Sequence, residues 1–332
     1  MTKRGFMFDL ISIGDATIDT FIKIHDATVK CDIDEKNCMI CLKYADKIPV
    51  DALEHQVAGN AANNAIGSSR LGLKTAIYVN VGSDESGYRI KKTLASEKVD
   101  PTYMKTHEGM ESNYSAVINF KGERTILVYH QAWKYDLPKL DSTKRVYLTS
   151  LSESYLKSDL ISQIVAYLKE SGAKLTYNPG TYQLNSDVKK DVELLKLCEV
   201  FIVNKEEAQK ILEVPATTDF KELLSSLKKL GPKYIFITDG RNGSTATDGT
   251  TCYQIPEWPG DRVEATGAGD SYATGATAAL FYGETLQEAM IWGAINGASV
   301  AFQIGPQKGL LTLEEMKKRR STLPDFKVEQ IS

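Results

Sequence analysis

The amino-acid sequence predicts a three-layer α/β/α sandwich, a mostly parallel central sheet between helices, with a small β-sheet lid. In the second half, short apolar strands at 146–149, 174–178, 201–204 and 234–238 are separated by helical stretches such as 158–171. That alternation is the mark of βαβ units and a parallel sheet. In the first half, two β-rich pieces, about 17–57 and 112–131, break the alternation and read as a lid inserted in the main domain. The last third is helical.

In chain order, 8–14 is a short apolar run closed by Gly14-Asp15, a buried strand followed by a turn. The stretch from 21 to 57 is rich in β-formers with polar alternation, the pattern of half-exposed strands. The Ala-rich segment 60–71 is a helix stopped by Gly72. A strand at 75–81 and a helix at 84–99 follow. Strands 114–120 and 125–130 flank Lys121-Gly122-Glu123-Arg124 as a hairpin, and Asp248-Gly249 marks a later one. Helices are expected at 268–282, 285–303 and 312–320. With no internal repeat, linker or low-complexity segment, residues 1–332 read as a single domain.

Composition excludes several classes. Hydrophobic residues make up 42% and charged ones 25% of the 332, so neither disorder nor a membrane protein is indicated. A net charge of −3, with the short run Lys317-Lys318-Arg319-Arg320 as a solvated helix end, gives no nucleic-acid footprint. Lys3 and Arg4 precede an apolar stretch, but Asp9 interrupts it, so a first strand is expected there and not a secretory signal. No segment has the length of uncharged apolar residues that a membrane span needs. Five cysteines, an odd number in a chain too large to need staples, favour a reducing, cytoplasmic setting. Cys31, Cys38 and Cys41 lie close together near His25. Their spacing is a weak match to zinc ligation, and small buried or loop thiols are the expectation.

The segment 263–275 carries the most chemistry. Gly267 and Gly269 allow close backbone approach, and an Ala-rich helix begins at once. Unpaired N–H groups at a helix N-terminus, with the helix dipole, make an anion site suited to phosphate. Asp270 would repel that phosphate, which makes sense if its carboxylate faces a substrate hydroxyl and takes its proton. Taken alone, the loop reads equally as a glycine turn with a helix-capping Asp.

The rest of the chain decides between them. Ala265-Thr266-Gly267-Ala268-Gly269-Asp270 with Ser271 and Gly275, and the distant Ala58-Gly59-Asn60-Ala61-Ala62-Asn63-Asn64-Ala65, resemble in order the two signatures of the ribokinase-like (PfkB-type) family of carbohydrate and nucleoside kinases. Val81-Gly82-x-Asp84-x-x-Gly87 and Asn204-Lys205-Glu206-Glu207 are similar to two further family segments, so the resemblance runs nearly end to end.

The resemblance implies that Asp270 is the catalytic base and that Gly267, Ala268 and Gly269 form the anion hole. It places Asp19 and Thr17, five and three residues after Gly14, with Gly59, Asn60 and Asn63, at the substrate; Asn64 is expected on the helix surface. Acceptor-only carboxylates and two-way amides suit vicinal hydroxyls. It further implies ATP at Asn204, Thr238, Gly240, Gly243 and Asn296, and Mg²⁺ at Glu207 through water.

Departures accompany these matches. Glu264 stands where the family usually has Asp, beside a loop that often holds a monovalent cation, and leaves open whether K⁺ activation is kept, shifted or lost. Ala58 replaces the first glycine of the N-terminal signature. His130-Gln131-Ala132-Trp133 replaces small residues, and Trp133 is read as packing more readily than as a ring stacked on substrate. The expected reaction is transfer of the γ-phosphate of ATP to a sugar hydroxymethyl group, with a nucleoside as the alternative acceptor. A phosphosugar, met by Arg89 or Arg124, ranks lower. A silent relative that only binds ligand is the reading from another class, and Asp270 argues against it. Exposed lid edges predict a homodimer.

Overall fold

The computed structural model describes residues 7–32, 38–121 and 123–331. Lys3, Arg4 and the turn residue Gly122 lie outside that range. Among the described residues a 9-stranded sheet forms the centre. Its parallel part runs Thr75–Tyr78, Phe8–Ile13, Thr143–Leu148, Lys174–Tyr177, Cys198–Asn204 and Tyr234–Thr238 from one edge inward. The antiparallel strands Ser244–Thr247, Cys252–Ile255 and Glu329–Gln330 extend the other edge.

These strands read as continuous apolar runs because both faces are covered. One core joins Ile11, Val146, Leu175, Phe201 and Ile235 to helices such as Leu160–Ser171 and Phe220–Lys228. Another joins Leu10, Tyr147, Val200 and Phe236 to Ala268–Phe281 and Leu286–Ala301. Alternate residues of each strand thus serve opposite layers. Full burial of each such side chain contributes about 1.5–3 kcal/mol.

A separate four-stranded sheet is ordered Glu123–Tyr129, Tyr114–Phe120, Thr17–Lys23, Ala52–Ala58. Its first strand to be made, Thr17–Lys23, follows Phe8–Ile13 after only three residues. Glu123–Tyr129 is its outer edge and is exposed along its whole length, including Ile126, Leu127 and Val128. A two-stranded ribbon, Thr28–Cys31 with Cys38–Cys41, springs from the same region.

Three local expectations change. The strand at 75–81 is two: after Thr75–Tyr78 the chain leaves the main sheet, and Asn80–Gly82 pairs with Lys105–His107. Asn64 is buried, and its Nδ2 donates to Thr274 Oγ1 at 3.0 Å. Helix Asn60–Arg70 is packed from Ala61 to Ser68, so there is no open helix surface at that position. Cys31 and Cys38 face each other across the ribbon and form a disulfide, while Cys41 stays free. The three are therefore not a set of loop thiols, and the count of cysteines no longer argues for a reducing compartment. Trp133 packs as expected: it is buried against His107, rings 5.1 Å apart, and does not line the cavity described below. Among the described residues no helix is long and apolar enough to cross a membrane.

Candidate active site

The carboxyl ends of the parallel strands meet at one cavity of about 520 Å³. Asp15, Ser150, Asn178, Asn204 and Thr238, each at or just past the end of a strand, form its floor. Open α/β sheets place ligands there because the chain must turn away and leaves backbone groups unpaired. The small sheet supplies the opposite wall through Thr17, Asp19, Asn113, Ser115 and Arg124.

Asp270 lies in the first turn of helix Ala268–Phe281 and reaches this cavity. The helix starts at Gly267, whose φ of 76° is left-handed; a Cβ there would meet Pro306 Cβ at 2.5 Å. Glycine is thus required both by backbone conformation and by space. The Ala268 N–H turns back to the Ala265 carbonyl at 3.1 Å, whereas those of Gly267 and Gly269 have no partner among the described residues. Free donors and the helix dipole converge beside Asp270, an arrangement that attracts an anion.

Helix Asn60–Arg70 adds a clamp. Asn60 and Asn63, three apart and so on one face, donate from Nδ2 to the two oxygens of Asp270 at 2.8 and 2.9 Å. Gln307 holds the other end of the Asn63 amide at 3.0 Å. Burial pushes the Asp270 carboxyl up from 3.8, and the two amides pull it back, to reach about 6. Both Asn side chains line the cavity, and one N–H of each already serves the carboxylate.

Asp19 is raised to about 6 by burial, eased by a hydrogen bond from Ser115 and reinforced by the charges of Glu264 and Asp270. Its Oδ1 has no partner among the described residues. Gly59, with a φ of 96°, passes so close to Asp15 that a Cβ would lie 2.6 Å from the Asp15 carbonyl oxygen. That contact seats the helix start against the first turn of the chain.

Across the floor, Asn204 caps helix Lys205–Leu212. Its Oδ1 accepts from Glu207 N, and its N–H donates to Glu207 Oε2, both at 2.8 Å. Burial raises the Glu207 carboxyl, with the Asp270 charge adding to it. One Glu207 oxygen is held by the cap and the side chain lines the cavity, so it suits a hydrated divalent cation better than a full ligand cage. Among the described residues no group of three His, Cys, Asp or Glu side chains is placed to hold a metal alone.

A second cavity of about 270 Å³ shares Asn204, Thr238 and Gly269 with the first. Ala268, Gly240 and Gly243 line it, and Ala294, Gly297, Ala298 and Ala301 of helix Leu286–Ala301 give it a flat wall of small residues. Asn296, on the same helix, lines neither cavity. It is buried and bridges elements, donating to the Ser271 carbonyl at 2.8 Å and accepting from Leu311 N at 3.3 Å.

The expected residues therefore gather at two adjoining cavities, Asn296 excepted. Sequence reasoning passed over Asp15, Asn113, Ser150, Asn178 and Tyr182, which also line the larger one. The strand-end positions of Asp15, Ser150 and Asn178 carried a signal, since each polar residue follows an apolar strand.

A sequence profile described as pfkB family carbohydrate kinase matches residues 21–313. The chain belongs to that family, whose members are ATP-dependent phosphotransferases acting on hydroxyl groups. It is 24% identical over 266 residues to the ribokinase of Bacillus subtilis (strain 168), covering 78% of this chain and 86% of that one. It is also 24% identical over 332 residues to a 5-dehydro-2-deoxygluconokinase of Shouchella clausii, covering 95% and 96%. The fold matches the crystal structure of a nucleoside kinase from Methanocaldococcus jannaschii with a TM-score of 0.75 at 19% identity, covering 96% of this chain and 99% of that one.

Proposed function

We propose that this protein transfers the γ-phosphoryl group of ATP to a hydroxymethyl group of a sugar, with Asp270 as the base. The observation that supports this most is the half-buried Asp270 carboxylate, clamped by Asn60 and Asn63 beside the free N–H groups of Gly267 and Gly269. The transferred phosphoryl group has a loose transition state, so catalysis rests on alignment and on donors facing its oxygens. In this reading Asp19 and Thr17 hold ring hydroxyls from the small sheet. The nucleotide base lies on the small-residue wall of the second cavity, with its phosphates between Asn204 and Gly269.

Glu207 would hold Mg²⁺ through water, and the metal would supply charge neutralisation between the phosphates. The small sheet acts as a lid that excludes water from the transfer. Its exposed edge, Glu123–Tyr129, supports pairing with a second copy, a reading that light scattering tests by a dimer mass.

A nucleoside acceptor is the second reading. It is favoured by the His130 and Tyr182 rings, 5.6 Å apart on the cavity wall, which offer a stacking surface to a base. The test is ADP release from Mg-ATP with pentoses, hexoses, nucleosides and sugar phosphates, with and without K⁺. Turnover of a free sugar that collapses in Asp270→Asn is the expected result; turnover confined to nucleosides replaces the first reading by the second.

A further inference from the structure

The lining of the large cavity includes polar residues with atoms that the protein leaves unmatched. Asp15 is 6% exposed, and the Tyr135 hydroxyl donates to its Oδ1 at 3.3 Å, while its Oδ2 has no partner among the described residues. Asn113 is 1% exposed. Its Oδ1 accepts from Gln131 N at 2.9 Å, which fixes the amide orientation and leaves Nδ2 unpartnered. His130 Nδ1 is likewise unpartnered, with the ring set against Tyr182. All three side chains line the same cavity.

Buried polar groups are almost always matched, so a set of unmatched ones on a cavity wall points to a ligand that completes them. Here an acceptor, Asp15 Oδ2, and a donor, Asn113 Nδ2, both belong to residues that line the cavity. Charge narrows the ligand further. Asp15, Asp19, Glu207 and Asp270 line the cavity, and Arg124 is the one permanent cation among its described lining residues. That guanidinium is already 3.3 Å from Glu264.

We propose that Asp15, Asn113 and His130 form a second polar subsite for the phosphoryl acceptor, which takes an uncharged group presenting an N–H or O–H donor beside an acceptor atom. The acceptor is therefore a neutral molecule, not a sugar phosphate or a sugar acid. This rests on the kinase reading above and specifies its substrate class. The donor and acceptor pair is supplied either by vicinal hydroxyls of a free sugar or by the edge of a nucleobase. A neighbouring cavity of about 250 Å³, also lined by His130 and Tyr182, leaves room for the larger of these.

The experiment measures calorimetric binding and Mg-ATP turnover for ribose, fructose, inosine, cytidine, fructose 6-phosphate and gluconate, on wild type, Asp15→Asn and His130→Ala. Expected is a neutral acceptor preferred over both anions by about tenfold or more, the scale of a mismatched polar site. Asp15→Asn should raise the KM for that acceptor about tenfold with the KM for ATP unchanged. A nucleoside or a free sugar as the preferred member identifies the source of the donor and acceptor pair. Preference for an anion, an unchanged acceptor KM in folded Asp15→Asn, or no binding of any neutral member overturns the proposal. Should Asp15→Asn fail to fold, His130→Ala carries the same comparison. Neutral binding that is lost in the variants, without turnover in wild type, would keep the subsite and reject the kinase reading. Turnover with an unchanged ranking would do the reverse.

Discussion

Arg124 Nη1 and Glu264 Oε1 lie 3.3 Å apart and tie the small sheet to the loop that precedes helix Ala268–Phe281. Glu264 is nearly buried and also accepts from Thr266 N at 2.8 Å and Gly305 N at 3.3 Å, so one carboxylate fastens three segments. Arg124→Ala removes the small sheet's part of that knot. The half-open pair contributes about 1 kcal/mol or less to stability, so the melting temperature should barely move. Acceptor-independent ATP hydrolysis should rise and the acceptor KM should increase several-fold, as a looser cover admits water. Coupled-assay rates with and without acceptor decide it; unchanged hydrolysis rejects the role.

As the proposed base, Asp270 must be ionised to accept a proton. With its carboxyl raised from 3.8 to about 6, kcat/KM should fall about tenfold per pH unit below that value. Asp19 is raised into the same range, so the acid limb should be steeper than one proton predicts. Asn63→Ala removes a hydrogen bond that lowers the Asp270 value, and its limb should move to higher pH. A pH profile of kcat/KM for both proteins checks the shift, and a limb that stays put refutes the clamp.

Asp270→Asn replaces a double acceptor by a group whose NH₂ must face one of the Asn60 or Asn63 donors. Turnover should drop by about 10²–10⁴, with ATP affinity within a few-fold of wild type. Single-turnover kinetics and nucleotide titration separate these effects. Activity retained within tenfold would place the base elsewhere.

Asp15 provides a stability prediction with a defined sign. Burial raises its carboxyl from 3.8 to about 7, opposed by the Tyr135 hydroxyl. Folding therefore favours the protonated form: the stability it contributes is fully present below about 3.8 and is lost as pH rises through about 7. Asp15→Asn, which cannot ionise, should gain on wild type in melting temperature at pH 8 relative to pH 5. Denaturation at both pH values tests this, and a difference that does not grow with pH contradicts it.

Much of this was legible in the chain. The βαβ alternation located the parallel strands because each is covered on both faces and so reads as an unbroken apolar run. Asn60 and Asn63 stood out by their spacing, yet only the packing of helix Asn60–Arg70 on Ala268–Phe281 showed that they grip Asp270. Asn296 misled because its amide bonds along buried backbone, and such partners, at Ser271 and Leu311, are invisible in a helical period. Asn113 gave no local pattern, and His130 showed only as part of a departure after the second lid strand, since their meaning arises from tertiary closure of the cavity.

The short join between Phe8–Ile13 and Thr17–Lys23 has a mechanical corollary. The chain enters or leaves the small sheet at Asp15, Gly59, Asn113 and His130, and each of those four residues lines the large cavity. In the proposed lid closure, rotation of one sheet against the other would turn about these points. The pivot and the proposed acceptor pocket would then share residues, so an acceptor that fits would not merely await closure but stiffen the axle on which closure turns.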